Sequence, residues 1–189
     1  MCFLSAFLLP STAFAHIFSF GEDAGFMAGL GHPVLGYDHL LAMVSVGMLS
    51  AQMGGRAIWT VPAAFVSVMV LGGVLGLAGM PLPGVEYGIA LSILGLGIAI
   101  ASEKKLPTLV AMIAVGIFAI FHGHAHGTEI PKMALPLWYV LGFMTGTSIL
   151  HLVGVGIGWA TGRMKHGHEM LRFAGAGIAT IGLYIMMTI

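Results

Sequence analysis

The chain has 189 residues, 58% of them hydrophobic and only 7% charged, with seven basic and seven acidic side chains that leave no net charge. Soluble domains run at roughly 25% charged residues, so this composition is that of a membrane protein, and without a basic excess nucleic acid is excluded as a partner. The single cysteine, Cys2, excludes an internal disulfide and a thiolate metal cluster, which leaves nine histidines as the compositional oddity.

In chain order, Met1 to Ala15 is apolar and ends Ala13-Phe14-Ala15, a small-x-small pattern like that of a secretory signal peptide, although a basic segment before it is missing. The expected organisation is therefore a cleavable signal peptide over 1–15 and a single transmembrane domain over 16–189. Cleavage after Ala15 makes His16 the new terminus, where an amine beside an imidazole can chelate a metal, so His16 is a secondary candidate.

Six apolar runs follow: Tyr37–Gln52, Ile58–Ala78, Val85–Ala101, Leu106–Phe121, Leu135–Ala160 and Leu171–Ile189. A spanning helix needs about 20 residues. The expected fold is thus all-α, a polytopic membrane bundle of about six transmembrane helices. The first and fourth runs are short and must borrow their polar ends, Pro33–Asp38 and His122–His126, to cross. The histidine clusters are accordingly expected in helix ends rather than in free loops. Gly72-x3-Gly76, Gly142-x3-Gly146 and Gly154-x3-Gly158 are small-residue pairs that let helix backbones approach closely in lipid.

The loops set the orientation. With the N-terminus outside, the cytoplasmic loops hold Arg56, Lys104, Lys105, Arg163, Lys165 and Arg172, and the other side holds only Lys132. That distribution satisfies the positive-inside rule, whereas the inverted topology fails it. Both histidine clusters then fall on the extracytoplasmic side.

The first cluster is His32-Pro33-Val34-Leu35-Gly36-Tyr37-Asp38-His39. Pro33 suits a first helical turn, with His32 at or near the cap. On a straight helix His32 and His39 share a face but stand two turns, about 10 Å, apart, too far to share one ion. Either Gly36 bends or unwinds the segment, or Asp38 and His39 form an inner site with His32 as an outer station. A carboxylate with imidazoles suits a divalent transition metal, and an ionisable group at membrane depth is costly enough that it marks a function. The second cluster is Phe121-His122-Gly123-His124-Ala125-His126-Gly127-Thr128-Glu129. As a helix it puts His122 and His126 on one face with His124 turned away; as an extended segment it aligns all three.

Weaker candidates are His151, inside the fifth run, which reads as a pathway residue or as a hydrogen-bonded core histidine; Glu86, which faces either the same cavity or the interface; and Glu129. His166 and His168 lie among cations and read as a solvated loop.

His32-Pro33-x-x-Gly36-x-Asp38-His39, followed by Ala42-Met43, Gly47 and Gly54-Gly55, resembles the HupE/UreJ family, and the segment Phe121 to Gly127 followed by Glu129 is similar to that family's second signature. The resemblance runs over nearly the whole chain. It implies uptake of nickel, sometimes cobalt, across the bacterial inner membrane for metalloenzyme maturation, with His32, Asp38, His39, His122, His124 and His126 as metal residues. The expected protein is then a multi-pass permease with a periplasmic N-terminus, not an enzyme. Its partners are a divalent transition-metal ion and the lipid bilayer; it has no permanent cofactor, and assembly as a homo-oligomer is left open. Two other readings stand beside it. Three histidines and an aspartate can hold a catalytic Zn²⁺ with a bound water, an intramembrane hydrolase with Glu129 or Glu86 as base, although no HExxH spacing is present. A metal-binding accessory protein without flux is the other.

Overall fold

In a computed structural model of the chain, which describes residues 22–104, 106–130 and 135–189, the described residues form seven α-helices and no strand. They are α1 (Glu22–Leu35), α2 (Tyr37–Met53), α3 (Ala57–Leu77), α4 (Val85–Ser102), α5 (Thr108–Thr128), α6 (Pro136–Thr161) and α7 (Gly167–Thr188). The helices α3 to α7 are each long and apolar enough to cross a membrane. The pair α1 and α2, bent by 81° at their junction, qualifies together as a sixth span. The protein is an all-helical membrane bundle. The signal-like segment, His16, Lys105 and Lys132 lie outside the described residues.

The broken span differs from the simple sequence expectation. His32 and Pro33 do not open the helix that carries Asp38; they close α1. Gly36 follows in extended backbone (φ −87°, ψ 108°) and α2 begins after it. A proline has no N–H for an upstream carbonyl, and a glycine resists continuous helix least expensively as a break, so the two together end α1. The break is half-buried against α6, along which both α1 and α2 lie: Pro33 and His39 are buried, whereas Leu35 and Tyr37 are exposed. Irregular backbone is tolerated at membrane depth only where protein or a cavity surrounds it.

Glycines set the helix contacts. A β-carbon on Gly72 would meet the Ile120 carbonyl, one on Gly76 that of His124, and one on Gly123 or Gly127 the backbone of Met69 or Gly73. Thus α3 and α5 run side by side with their backbones touching. Gly142 abuts Phe26 of α1, Gly154 abuts Val44 of α2, and Gly97, Gly175 and Gly182 bring α4 against α7. All three sequence-predicted glycine pairs lie in these contacts. Around the axis, Met43, Val46, Phe65, Met69, Ile93 and Val115 form a fully buried apolar core. The start of α2, the end of α5 and the start of α6 meet at one end of the bundle; Arg56, Lys104, Arg163 and Lys165 lie in the turns at the other.

Candidate metal site

The close α3–α5 packing fixes the rotation of α5. With Gly123 and Gly127 pressed on α3, the neighbouring His122 and His126 are turned into the bundle, one turn apart on a continuous helix. The cluster is helical, so it does not align three histidines. His124 points away, and its Nε2–H donates to the carbonyl of Met80 in the α3–α4 connection at 2.7 Å.

The bend at Gly36 brings the first cluster to the same place. His32 at the end of α1 and His39 in the first turn of α2 have ring centroids 6.3 Å apart, far less than two turns of straight helix. His32 lies 4.7 Å from His126, His126 lies 4.4 Å from His39, and His39 lies 4.9 Å from His122. Four imidazoles from α1, α2 and α5 therefore form one continuous group. Access is graded along it: the His32 side chain is 32% exposed, whereas His39, His126 and His122 are buried at 7%, 2% and 0%.

Carboxylates flank the group at both levels. Asp38 Oδ1 accepts from the His39 backbone N–H at 2.8 Å and from His39 Nδ1 at 2.9 Å. That contact assigns the tautomer of His39: Nδ1 carries the proton, and Nε2, buried and without a hydrogen-bonding partner among the described residues, keeps its lone pair. Gly36 makes room for this pair, since a β-carbon there would stand 3.0 Å from Asp38 Oδ1 and 3.3 Å from His39 Nδ1. At the outer level Glu129 Oε2 is 3.0 Å from His32 Nε2. One ligand atom from each of His32, His126 and Glu129 lies within 4.8 Å of the others. Donors around an ion at about 2 Å stand roughly 3–4 Å apart, so this trio needs only a small contraction to close on a metal.

Sequence reasoning missed Ser92, the one hydroxyl in the apolar stretch 88–101 of α4. Its O–H donates to the Ile89 carbonyl at 2.6 Å, which leaves its oxygen to accept from His122 Nε2 at 2.9 Å. The proton of His122 is thereby assigned to Nε2, and Nδ1 is free to ligate; it has no hydrogen-bonding partner among the described residues. Both ring nitrogens of His126 likewise lack a hydrogen-bonding partner among the described residues, with the ring 3.8 Å from that of Phe143. Buried polar atoms are nearly always paired, so three adjacent histidines with unpaired nitrogens form a preorganised donor set. Ser92→Ala should let the His122 ring reorient and cut Ni²⁺ affinity about 10–100-fold, the usual effect of removing an outer partner of a metal-binding histidine. Equilibrium dialysis of the solubilised protein reads this, and an unchanged affinity removes Ser92 from the site.

Of the remaining candidates, Glu86 is exposed in the first turn of α4 and outside the group. His151 is buried on α6, next to Phe65 rather than to the other histidines. His166 and His168, at the opposite end, are 66% and 77% exposed and lie beside Glu169 and Glu103.

Comparison with known proteins agrees with the motif resemblance. The family described as HupE / UreJ protein matches residues 4–185. The chain is also 48% identical, over 97% of its length and 95% of the relative's, to Protein HupE of Rhizobium leguminosarum bv. viciae. No solved structure matches it.

Proposed function

This chain belongs to the HupE / UreJ family, and we propose that it is a secondary permease that imports Ni²⁺, with Co²⁺ as a second cargo, from periplasm to cytoplasm across the bacterial inner membrane for metalloenzyme maturation. The observation that carries this reading is the graded donor set, which starts at half-exposed His32 and Glu129, paired with each other, and continues inward through His126 and His39 to fully buried His122. The rings of these last three include four nitrogens without a hydrogen-bonding partner among the described residues. A structural zinc site closes its coordination shell; a conduit needs successive sites, each weak enough to release. Imidazoles with carboxylates and no thiolate fit that need for a borderline divalent ion. Glu129 and Asp38 supply negative charge at the two levels, which favours a cation over an anion or a neutral solute. The basic turns at the far end support a cytoplasmic placement of that end and a periplasmic placement of the site. The membrane potential favours inward movement, by about 2.3 kcal/mol per unit charge per 100 mV and about twice that for a divalent ion. The ion is cargo, and the protein needs no resident cofactor.

Ligand roles divide by geometry. His32, His126 and Glu129 form the outer station, and Asp38, His39 and His122 the inner wall of the same vestibule; His124, although part of the motif, braces the α3–α4 connection. His126→Ala should therefore abolish Ni²⁺ flux into proteoliposomes, while His124→Ala retains most of it and loses about 1 kcal/mol of stability with its hydrogen bond. Equal loss in the two variants contradicts this division. Flux of Ni²⁺ in the wild-type protein, with Co²⁺, Cu²⁺ and Zn²⁺ as competitors, tests the reading itself. Binding without flux makes the protein an accessory metal carrier, and retained Zn²⁺ with hydrolysis of a lipid or peptide makes it an enzyme.

A further inference from the structure

One buried histidine lies beyond the vestibule. His151 sits on α6, about 22 Å along that helix from its start at Pro136 at 1.5 Å per residue. It is 2% exposed, and neither ring nitrogen has a hydrogen-bonding partner among the described residues. A histidine kept only for packing would use its N–H on a neighbouring carbonyl or hydroxyl, because a buried donor and acceptor left unpaired carry the full cost of desolvation. Thr147, one turn earlier on the same face, is fully buried as well, and its hydroxyl contacts the sulfur of Met69 at 3.9 Å.

One ring adjoins both this residue and the vestibule. Phe65 of α3 is fully buried; its centroid is 5.6 Å from that of His122 and 5.3 Å from that of His151. From the exposed end inward, the rings of His32, His126, His39, His122, Phe65 and His151 form an unbroken file with no step longer than 5.6 Å. Every member except Phe65 offers an imidazole. Phe65 is thus a non-ligating ring that adjoins both sets of donors.

We infer that His151 is an inner binding station for the transported divalent transition-metal ion, with the Thr147 hydroxyl and the Met69 thioether beside it and the Phe65 ring as the barrier that the ion passes to reach it. This rests on the permease reading and extends it from the vestibule to mid-membrane. The inner donors are neutral, whereas Asp38 and Glu129 supply charge outside, so the ion binds more weakly after the barrier than before it. That ordering lets it leave inward, since conduction requires sites weak enough to release. Imidazole and thioether together select borderline and soft ions over Mg²⁺ or Ca²⁺.

The test uses the full chain, with Ni²⁺ alone as probe, in wild type, His39→Ala, His151→Ala and His151→Gln. Equilibrium dialysis measures binding, and proteoliposomes measure flux. Glutamine keeps a hydrogen-bonding side chain of similar length, so it preserves the fold if alanine does not. The expected result is wild-type Ni²⁺ affinity in His151→Gln with flux reduced about tenfold or more, on the scale of lost metal-site interactions; His39→Ala loses both. Wild-type flux in His151→Gln overturns the inner station and leaves the permease reading intact. Loss of binding together with flux in both His151 variants makes the residue structural and also overturns it. A wild-type protein that binds Ni²⁺ but passes none overturns the permease reading, and the inner station with it.

Discussion

Asp38→Asn and His39→Ala should each end Ni²⁺ accumulation in cells while the protein remains in the membrane at its normal level. The two substitutions act differently. Asparagine keeps an oxygen where Asp38 Oδ1 accepts from the His39 backbone and ring at 2.8 and 2.9 Å, so the geometry survives and only the negative charge is lost. Its effect is a weaker ion: an affinity loss of about 10–100-fold, as for other partners of metal-bound histidine. His39→Ala removes the ring that links His126, 4.4 Å away, to His122, 4.9 Å away, and so cuts the donor file at its middle. Its effect is loss of flux through the vestibule. Radiometal uptake, with the amount of protein in isolated membranes as control, reads both; full uptake by both variants removes this pair from the site.

Gly123→Ala should have a large effect on the fold. A β-carbon at residue 123 would press on the Met69 carbonyl and stand 2.8 Å from the Gly73 nitrogen, and backbone atoms of a packed helix cannot swing aside as a side chain can. The helices must separate, at a cost of about 1–3 kcal/mol or more for overpacking. The separation also turns His122 and His126, so metal affinity falls with the melting temperature. Gly116→Ala is the matched control on the same helix. Its β-carbon would meet only Val68 Cγ2 at an ordinary 3.6 Å, and alanine gains up to about 1 kcal/mol of helix propensity over glycine. A thermal shift assay in detergent should therefore show Gly123→Ala well below wild type and Gly116→Ala at or above it. Equal melting temperatures would mean that the α3–α5 contact is looser than this packing requires.

The glycines illustrate how a packing feature becomes a functional one. From the sequence, Gly72-x3-Gly76 is only a place where helices approach. In the bundle its partner is the stripe Gly123 and Gly127, interleaved with the histidines, so the same contact that joins α3 to α5 aims the donors. Ser92 shows the reverse case. A single serine in an apolar run carries no pattern, and its relation to His122 exists only because α4 packs beside α5.

Hydropathy, loop charge and two short motifs determined the class of the protein, its five to six apolar spans, the side of the membrane expected for the site, and most of the residues proposed as its donors. These are local properties, since transfer to lipid is decided segment by segment and ligand chemistry by residue type. Only the tertiary structure decided which donors meet. It closes α1 with His32 and bends the chain by 81° at Gly36, which brings His32 within 6.3 Å of His39. It keeps the second motif helical, which turns His124 to Met80 and His126 to the centre. It also sets Phe65 against both His122 and His151. The reason is that rotation of each helix about its axis is fixed by contacts between segments distant in sequence, and a rotation of half a turn would leave the same hydropathy profile with a different site.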